Sequence, residues 1–199
     1  MKTKHRLALV LLAAAVGFAA QAAAQTPVRL RGTIVSVDGA TLSLKERDGR
    51  DLKLQVPDNV QVAVAKTARF EDIKPGDYLG ATTVAGPDGT PVAVELHYIP
   101  TTVPEGQGAW DLRPNSTMTN ARAASIVTEV GKRQITLEFK GTTQTIAVPD
   151  GTPVVRAIPG TRADLVPGEY MFTGAQAAAD GTLTAGRIQV SKDGVKPPL

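Results

Sequence analysis

Asp72-Ile73-Lys74-Pro75-Gly76-Asp77-Tyr78 is the stretch that decides the fold, because the chain repeats it as Asp164-Leu165-Val166-Pro167-Gly168-Glu169-Tyr170. Two further pairs of motifs share its offset of 92 residues: Val56-Pro57-Asp58 with Val148-Pro149-Asp150, and Asp88-Gly89-Thr90 with Asp180-Gly181-Thr182. A constant offset predicts one structural unit that is present twice.

The repeated motif has the chemistry of a tight turn. Proline fixes φ and the following glycine allows φ > 0, as a type II turn requires. Asp72 and Asp164 precede the two Pro-Gly pairs by three residues and are predicted to cap the local turn. We therefore predict a structural role, and no ligand contact, for six residues: Asp72, Pro75, Gly76, Asp164, Pro167 and Gly168.

The segments between the turns predict short strands. Polar and apolar residues alternate in Thr41-Leu42-Ser43-Leu44 and again from Leu52 to Val56, and only residues 65–73 suggest a helical turn. This pattern predicts an all-β fold of two tandem small β-barrels, five to six strands each, that resemble the oligonucleotide/oligosaccharide-binding (OB) fold and are related by internal duplication. Two small β-sandwiches are the alternative. The predicted boundaries are residues 27–100 and 121–199, joined by a linker at 101–120; the first strand of the second copy is expected at Ser125.

The N-terminus predicts export. Lys2, Lys4 and Arg6 precede a charge-free apolar stretch, and Ala22-Ala23-Ala24 offers a cleavage site before Gln25. Residues 1–24 are therefore predicted to be a signal peptide, which places the protein in the periplasm or outside the cell. The chain has no cysteine, which excludes a lipid-modified cysteine, disulfides and thiolate chemistry. No later segment is apolar and long enough to predict a membrane span.

Charge and motifs narrow the function classes. Without the predicted signal peptide, the 22 basic residues fall by three to 19, which equals the 19 acidic ones. Such a balance argues against nucleic-acid binding, which depends on clustered Lys and Arg. No Gly-x-Ser-x-Gly motif is present, and most aspartates lie in predicted turns. We therefore predict a non-enzymatic protein without a cofactor that binds a periplasmic protein or a small ligand.

The predicted linker contains the only tryptophan, Trp110. A large aromatic residue contributes chiefly by burying surface, so Trp110 is expected to pack on a barrel or in the groove between the barrels. With Asp111 and Arg113 it forms the candidate binding segment for a ligand or partner. These residues have no counterpart at the 92-residue offset.

Glu95 and His97 are the candidate metal ligands. His97 is the only histidine after the predicted signal peptide, and it lies two residues from Glu95. Strand alternation places both side chains on one face, which we expect to be exposed. The pair predicts an alternative function, a soluble accessory protein of metal uptake or homeostasis. A third alternative is an enzyme that acts on an envelope polymer.

Four blocks carry a family resemblance: Arg31 to Gly39, Asp72 to Gly76, Asp88 to Thr90 and, most specifically, Trp110 to Asn120. With them the chain resembles the tandem-domain members of a bacterial domain-of-unknown-function family of small exported β-barrels. The resemblance implies the same fold and brings no catalytic residues. Such proteins are often catalogued as "metal ABC transporter permease", a description that this sequence contradicts because a permease needs several membrane spans.

Overall fold

The computed structural model describes residues 26–129 and 131–197; the predicted signal peptide lies outside them. Two short 3₁₀ helices are present in the described residues, Phe70–Asp72 and Arg162–Asp164. The strands of the described residues are β1 (Thr26–Asp38), β2 (Thr41–Glu46), β3 (Asp51–Gln55), β4 (Val62–Ala68), β5 (Tyr78–Ala85), β6 (Pro91–Tyr98), β7 (Gly106–Trp110), β8 (Ser116–Glu129), β9 (Lys132–Phe139), β10 (Thr142–Ala147), β11 (Val154–Pro159), β12 (Tyr170–Ala177) and β13 (Leu183–Val190). The fold is therefore all-β, as the alternation predicted.

The thirteen strands form one mixed sheet that contains two closed circuits of strand pairing. In the first, which we call ring A, the order is β1-β2-β3-β13-β12 and β12 pairs again with β1. In the second, ring B, the order is β8-β9-β10-β6-β5 and β5 pairs again with β8. Each ring closes through one parallel contact, β3 with β13 or β10 with β6.

Each ring draws strands from both halves of the chain. The hairpin β12–β13 completes the ring begun by β1–β3, and the hairpin β5–β6 completes the ring begun by β8–β10. The closing pairs, Gln55 with Thr184 and Ala147 with Val92, differ by 92 residues at both members (147 − 55 and 184 − 92). Each half of the chain therefore contributes one hairpin to the ring whose other three strands come from the other half, an arrangement that we call the hairpin exchange.

The antiparallel pair β4–β11 lies between the rings. Ala65 is opposite Ala157, and these two residues are themselves 92 positions apart (157 − 65). β4 also runs parallel to β13 in ring A, and β11 runs parallel to β6 in ring B. The strand pairs on the two sides of this central pair therefore correspond, those of ring A to those of ring B.

Each ring encloses its own apolar core. In ring A, side chains such as Leu44 and Ile188 are buried, and in ring B the same holds for Leu96 and Leu137. Burying one such side chain contributes roughly 1.5–3 kcal/mol. The alternation within each strand therefore accounts for both cores, although the strands that share a core come from distant parts of the sequence.

The repeated Pro-Gly motif forms the predicted turn in both places. The amide of Asp77 donates to the carbonyl of Lys74 at 3.1 Å, and Gly76 and Gly168 have φ of 91° and 92°. These values require glycine at the third position of a type II turn. Asp72 and Asp164 cap the preceding 3₁₀ helices and not the Pro-Gly turns: Asp164 accepts a hydrogen bond from the amide of Thr161 at 2.8 Å, and Asp72 accepts one from the amide of Arg69 at 3.2 Å.

The same turns attach each exchanged hairpin to its ring. The amide of Gly168 donates to the carbonyl of Ile34 at 2.8 Å, and the amide of Gly76 donates to the carbonyl of Ala123 at 2.8 Å. Ile34 and Ala123 therefore occupy equivalent places, at an offset of 89 residues (123 − 34). The expected start of the second copy at Ser125 is corrected accordingly: β8 begins at Ser116, because its first half pairs with β5.

The predicted linker is also corrected. Residues 106–110 form β7, which pairs antiparallel with the first residues of β8, so much of the segment is paired strand. Its glycines and polar residues resemble a loop in composition, but backbone pairing does not depend on side chains. A β7–β8 hairpin results, and Trp110 lies at its end.

Candidate ligand-binding site

The loop that joins β7 to β8 is held in shape by Ser116. Its hydroxyl donates to the carbonyl of Trp110 at 2.9 Å and accepts from the amide of Arg113 at 3.2 Å. Asn115 adopts a positive φ of 59°, which asparagine tolerates better than most residues. The loop thus presents Trp110 and Asp111 in one fixed arrangement.

Arg31 on β1 binds this loop from ring A. Its Nη1 donates to Oδ2 of Asp111 at 2.7 Å, and its side chain is only 3% exposed against 44% for Asp111. The guanidinium carbon lies 5.4 Å from the centre of the Trp110 ring and 4.8 Å from that of Phe172. At these distances the ring faces stabilise a cation. Arg31 therefore clamps a loop of ring B onto ring A through one carboxylate and two aromatic rings.

Two more arginines complete the contact. The guanidinium carbon of Arg29 lies 4.3 Å from the centre of the Trp110 ring. Nη2 of Arg47 donates to the carbonyl of Asp111 at 2.6 Å, and Nη1 donates to the carbonyl of Leu112 at 3.4 Å. We call Arg29, Arg31, Arg47, Trp110 and Asp111 the arginine–tryptophan clamp.

The clamp changes the acidity of Asp111. Burial raises the pKa of this carboxyl, but the hydrogen bond from Arg31 and the charges of Arg31 and Arg29 lower it, and the pKa ends below its usual value. Asp111 is therefore a carboxylate at neutral pH, and its charge balances the buried cation of Arg31.

Two grooves meet at Asp111. The first, the β1-edge groove, has a volume of about 710 Å³; its lining includes Val28, Arg29, Leu30, Leu52, Asp111 and Leu183. The second, the loop groove, has a volume of about 700 Å³ and is lined by the residues of the loop together with Arg47. Volumes of this size suit a small molecule or several residues of an extended chain.

Of the three residues predicted for binding, Trp110 and Asp111 belong to the clamp, whereas the exposed Arg113 lines only the loop groove. Trp110 packs against ring A, as expected for a large aromatic residue. Arg29, Arg31 and Arg47 were not among the residues predicted to bind a ligand. Arg29 and Arg31 are two residues apart and so share a strand face, and this pattern is visible in the sequence alone.

The candidate metal ligands are close together but buried. Nδ1 of His97 lies 3.2 Å from Oε1 of Glu95, and the two residues are 8% and 5% exposed. Within residues 26–129 and 131–197, no group of three His, Cys, Asp or Glu side chains is placed to hold a metal ion. The pair supplies two ligands where a structural zinc site uses four.

The expectation that Glu95 and His97 are exposed is wrong, and the strand partners explain why. β6 lies between β5 and β11, and the face of β6 that carries His97 is turned towards Phe172 and Gln189 of ring A. Gly80 lies opposite His97, and a Cβ at Gly80 would be only 2.6 Å from Cε1 of the imidazole. The absent side chain therefore makes the space that the imidazole fills. His97 also borders a cavity of about 320 Å³ that reaches Phe172.

In the part of the chain that the structure describes, no helix is long and apolar enough to cross a membrane. Comparisons of the chain with protein-family models, with curated proteins and with solved structures gave no match.

Proposed function

We propose that this chain is an exported, non-enzymatic binding protein and that the two grooves beside the arginine–tryptophan clamp are its binding surface. In this proposal each ring is an OB-like barrel, the two barrels arose by duplication, and residues 1–24 direct export to the periplasm. The observation that carries the proposal is the position of the clamp. It fixes Trp110, the only tryptophan of the sequence, in the wall of the loop groove and places Asp111 where the two grooves of about 700 Å³ meet.

Preorganisation supports a binding role. A loop that is already ordered loses less conformational entropy when a ligand binds. The Ser116 bonds order the loop internally, and Arg31 orders it relative to ring A. The clamp residues also lie outside the repeated turn motifs, so their arrangement serves more than ring closure.

The metal-accessory alternative has weaker support, because Glu95 and His97 supply only two ligands among the described residues. Calorimetry with Zn²⁺ tests it. Stoichiometric binding that disappears in His97→Ala would favour this alternative over the groove.

Trp110 fluorescence tests the binding proposal, since one tryptophan gives an unmixed signal. Muropeptides, chito-oligosaccharides and extended apolar peptides are titrated into the mature protein. We expect a saturable change in emission with one probe class and at least about tenfold weaker binding in Arg29→Ala, which loses a cation over the ring. Exposed Lys45→Ala is the matched control. The proposal fails if no probe, at up to millimolar concentration, changes the Trp110 fluorescence or gives a binding heat in calorimetry.

Export is tested separately. Expression with residues 1–24 should yield a periplasmic product whose mass is that of a chain beginning at Gln25. Expression without these residues should leave the protein in the cytoplasm. An uncleaved product found in the membrane fraction would contradict the proposed signal peptide.

A further inference from the structure

The open edge of β1 corresponds to an edge of β8 that is occupied. By the 89-residue correspondence of the first strands, residues 27–31 of β1 match residues 116–120 of β8. In ring B this part of β8 pairs with β7 on one side and with β5 on the other. In ring A the same part of β1 pairs with β12 on one side, and no strand of the described residues pairs with its other side before β2 begins at Gly32.

The β1-edge groove lies along this unoccupied edge. The amide of Arg47 donates to the carbonyl of Arg31 at 3.3 Å, so the backbone groups of Arg31 face the β2 side. Because backbone direction alternates along a strand, the N–H and C=O of Arg29 face the same side and point into the groove. The groove therefore offers a strand-like row of hydrogen-bonding groups.

The floors of the two equivalent sites differ in chemistry. In ring B, Nε2 of Gln107 on β7 donates to Oγ1 of Thr119 and to Oε1 of Gln144, both at 2.9 Å. In ring A the corresponding positions are apolar: Leu30 replaces Thr119, and Leu52 replaces Gln144. Val28 replaces Thr117 in the same way. The positions that contact Gln107 in ring B are therefore apolar in ring A, although the ion pair of Glu46 with Arg50 also lines the β1-edge groove.

We propose that an extended segment of a partner polypeptide adds to β1 as an antiparallel strand in this groove, with an apolar side chain at the position that Gln107 occupies in ring B. This inference rests on the proposed binding function and names its ligand class. Strand addition supplies affinity through backbone hydrogen bonds, while alternate side chains supply specificity. The half-buried Val28, Leu52 and Leu183 at the edge of the ring A core form the surface that the apolar side chain covers.

Two acetylated and amidated peptides are the probes. Both copy residues 105–109 and continue with two threonines; one retains glutamine at the position of Gln107 and the other has leucine there. We expect the leucine peptide to bind the full mature protein about tenfold more tightly, because leucine buries apolar area against Val28, Leu52 and Leu183, whereas glutamine gives up hydration of its amide there. Equal affinities, or no binding of either peptide by calorimetry, would overturn the proposal.

N-methylation tests the strand geometry without changing the protein. In ring B, Gly108 is opposite Met118, the counterpart of Arg29. Sarcosine at the position of Gly108 therefore removes an N–H that faces β1, and binding should weaken at least about tenfold. N-methylalanine at the next position, that of Ala109, methylates an N–H that faces away and should leave binding nearly unchanged. The same loss at both positions, or at neither, would contradict strand addition.

Hydrogen exchange locates the added strand. The amide of Arg29 should exchange at least about tenfold more slowly with saturating leucine peptide than without it. Slow exchange of this amide in the free protein would show that another part of the chain already covers the edge, and the proposal would fail.

A protein variant reverses the preference. Leu52→Gln places in ring A the residue type that Gln144 supplies in ring B. This variant should bind the glutamine peptide at least as tightly as the leucine peptide, and its circular dichroism spectrum checks the fold. If these peptides do not bind while Trp110 fluorescence responds to another probe, strand addition is wrong and the broader binding function stands. If both experiments are silent, both proposals fail.

Discussion

Asp111→Asn tests the clamp, because this substitution removes the charge of Asp111 and nearly preserves its shape. In the folded wild type, the carboxylate accepts a hydrogen bond of 2.7 Å from Arg31, whose side chain is 3% exposed. Hydrogen bonds to charged groups contribute about 1.5–3 kcal/mol, and loss of one partner leaves a buried charge uncompensated. Since the Asp111 side chain is 44% exposed, solvent screening reduces the loss. We expect the free energy of unfolding to fall by ~2 kcal/mol.

Urea unfolding followed by Trp110 fluorescence and by circular dichroism measures this change. A loss of ~2 kcal/mol lowers the melting temperature by about 6 °C in a domain of this size. The matched control is Asp51→Asn, because Asp51 pairs with Lys45 at 3.3 Å with both side chains exposed. The control substitution should lower the free energy of unfolding by less than ~0.5 kcal/mol. Equal losses in the two variants would refute the argument that burial of Arg31 makes the Asp111 contact strong.

The pH dependence gives a second check on the same contact. The pKa of Asp111 is lowered in the folded protein, so its contribution to stability is fully present above the unfolded-state pKa, about 3.9. This contribution is lost as pH falls through the lower folded-state pKa. The difference between wild type and Asp111→Asn should therefore be constant from pH 7 to about pH 5 and shrink below about pH 4. A difference that persists unchanged to about pH 2 would refute the assignment to this carboxylate.

The remaining predictions concern the exchanged fold and its turns. Gly80→Ala should lower the free energy of unfolding by roughly 1–3 kcal/mol, because its Cβ would overlap the buried imidazole of His97, and the double variant with His97→Ala should recover part of the loss in urea unfolding. Gly168→Ala should cost about 1 kcal/mol by the same assay, since alanine is strained at φ of 92°; no loss would contradict the type II turn. A protease site inserted between the exposed Thr101 and Thr102 should be cut without separating the fragments in gel filtration, because each ring needs strands from both; fragments that separate without denaturant would contradict the exchange.

Local chemistry was predictable from the sequence. A Pro-Gly pair has few conformations open to it, so the two turns follow from the residues themselves. The same holds for the strands, because alternation reports which side chains face a core. The buried core residues Leu44 and Leu96 both lie in segments whose alternation predicted strands.

The exchange of hairpins was not predictable from these patterns. The hairpins β5–β6 and β12–β13 share the spacing of their core positions, with Leu79 and Leu96 in one at the places of Met171 and Ile188 in the other. Either hairpin therefore satisfies the alternation of either ring. The choice depends on the pairing of β4 with β11, which directs each half of the chain across to the other ring. No window of sequence contains that information.

The clamp escaped prediction for a related reason. Arg31 and Asp111 are 80 residues apart in sequence, and a buried arginine is not recognisable until its carboxylate is known. The hairpin exchange explains why the clamp lies between the two rings. The β7–β8 hairpin belongs to ring B, yet its loop contacts β1 of ring A, so the clamp joins the two rings beside the edge of β1 that no described strand covers.

The two rings are alike in their closing contacts and differ in the strand edge beside their first strands. In ring B that edge is covered by β7, and the polar floor of Thr119 and Gln144 matches the glutamine that β7 brings. In ring A both positions are apolar: Leu30 is buried in the core and Leu52 is half-buried. The apolar surface that the groove leaves partly exposed is therefore that of Val28, Leu52 and Leu183, and covering such surface is favourable. The difference between the two edges therefore supports the proposed addition of a strand that carries an apolar side chain.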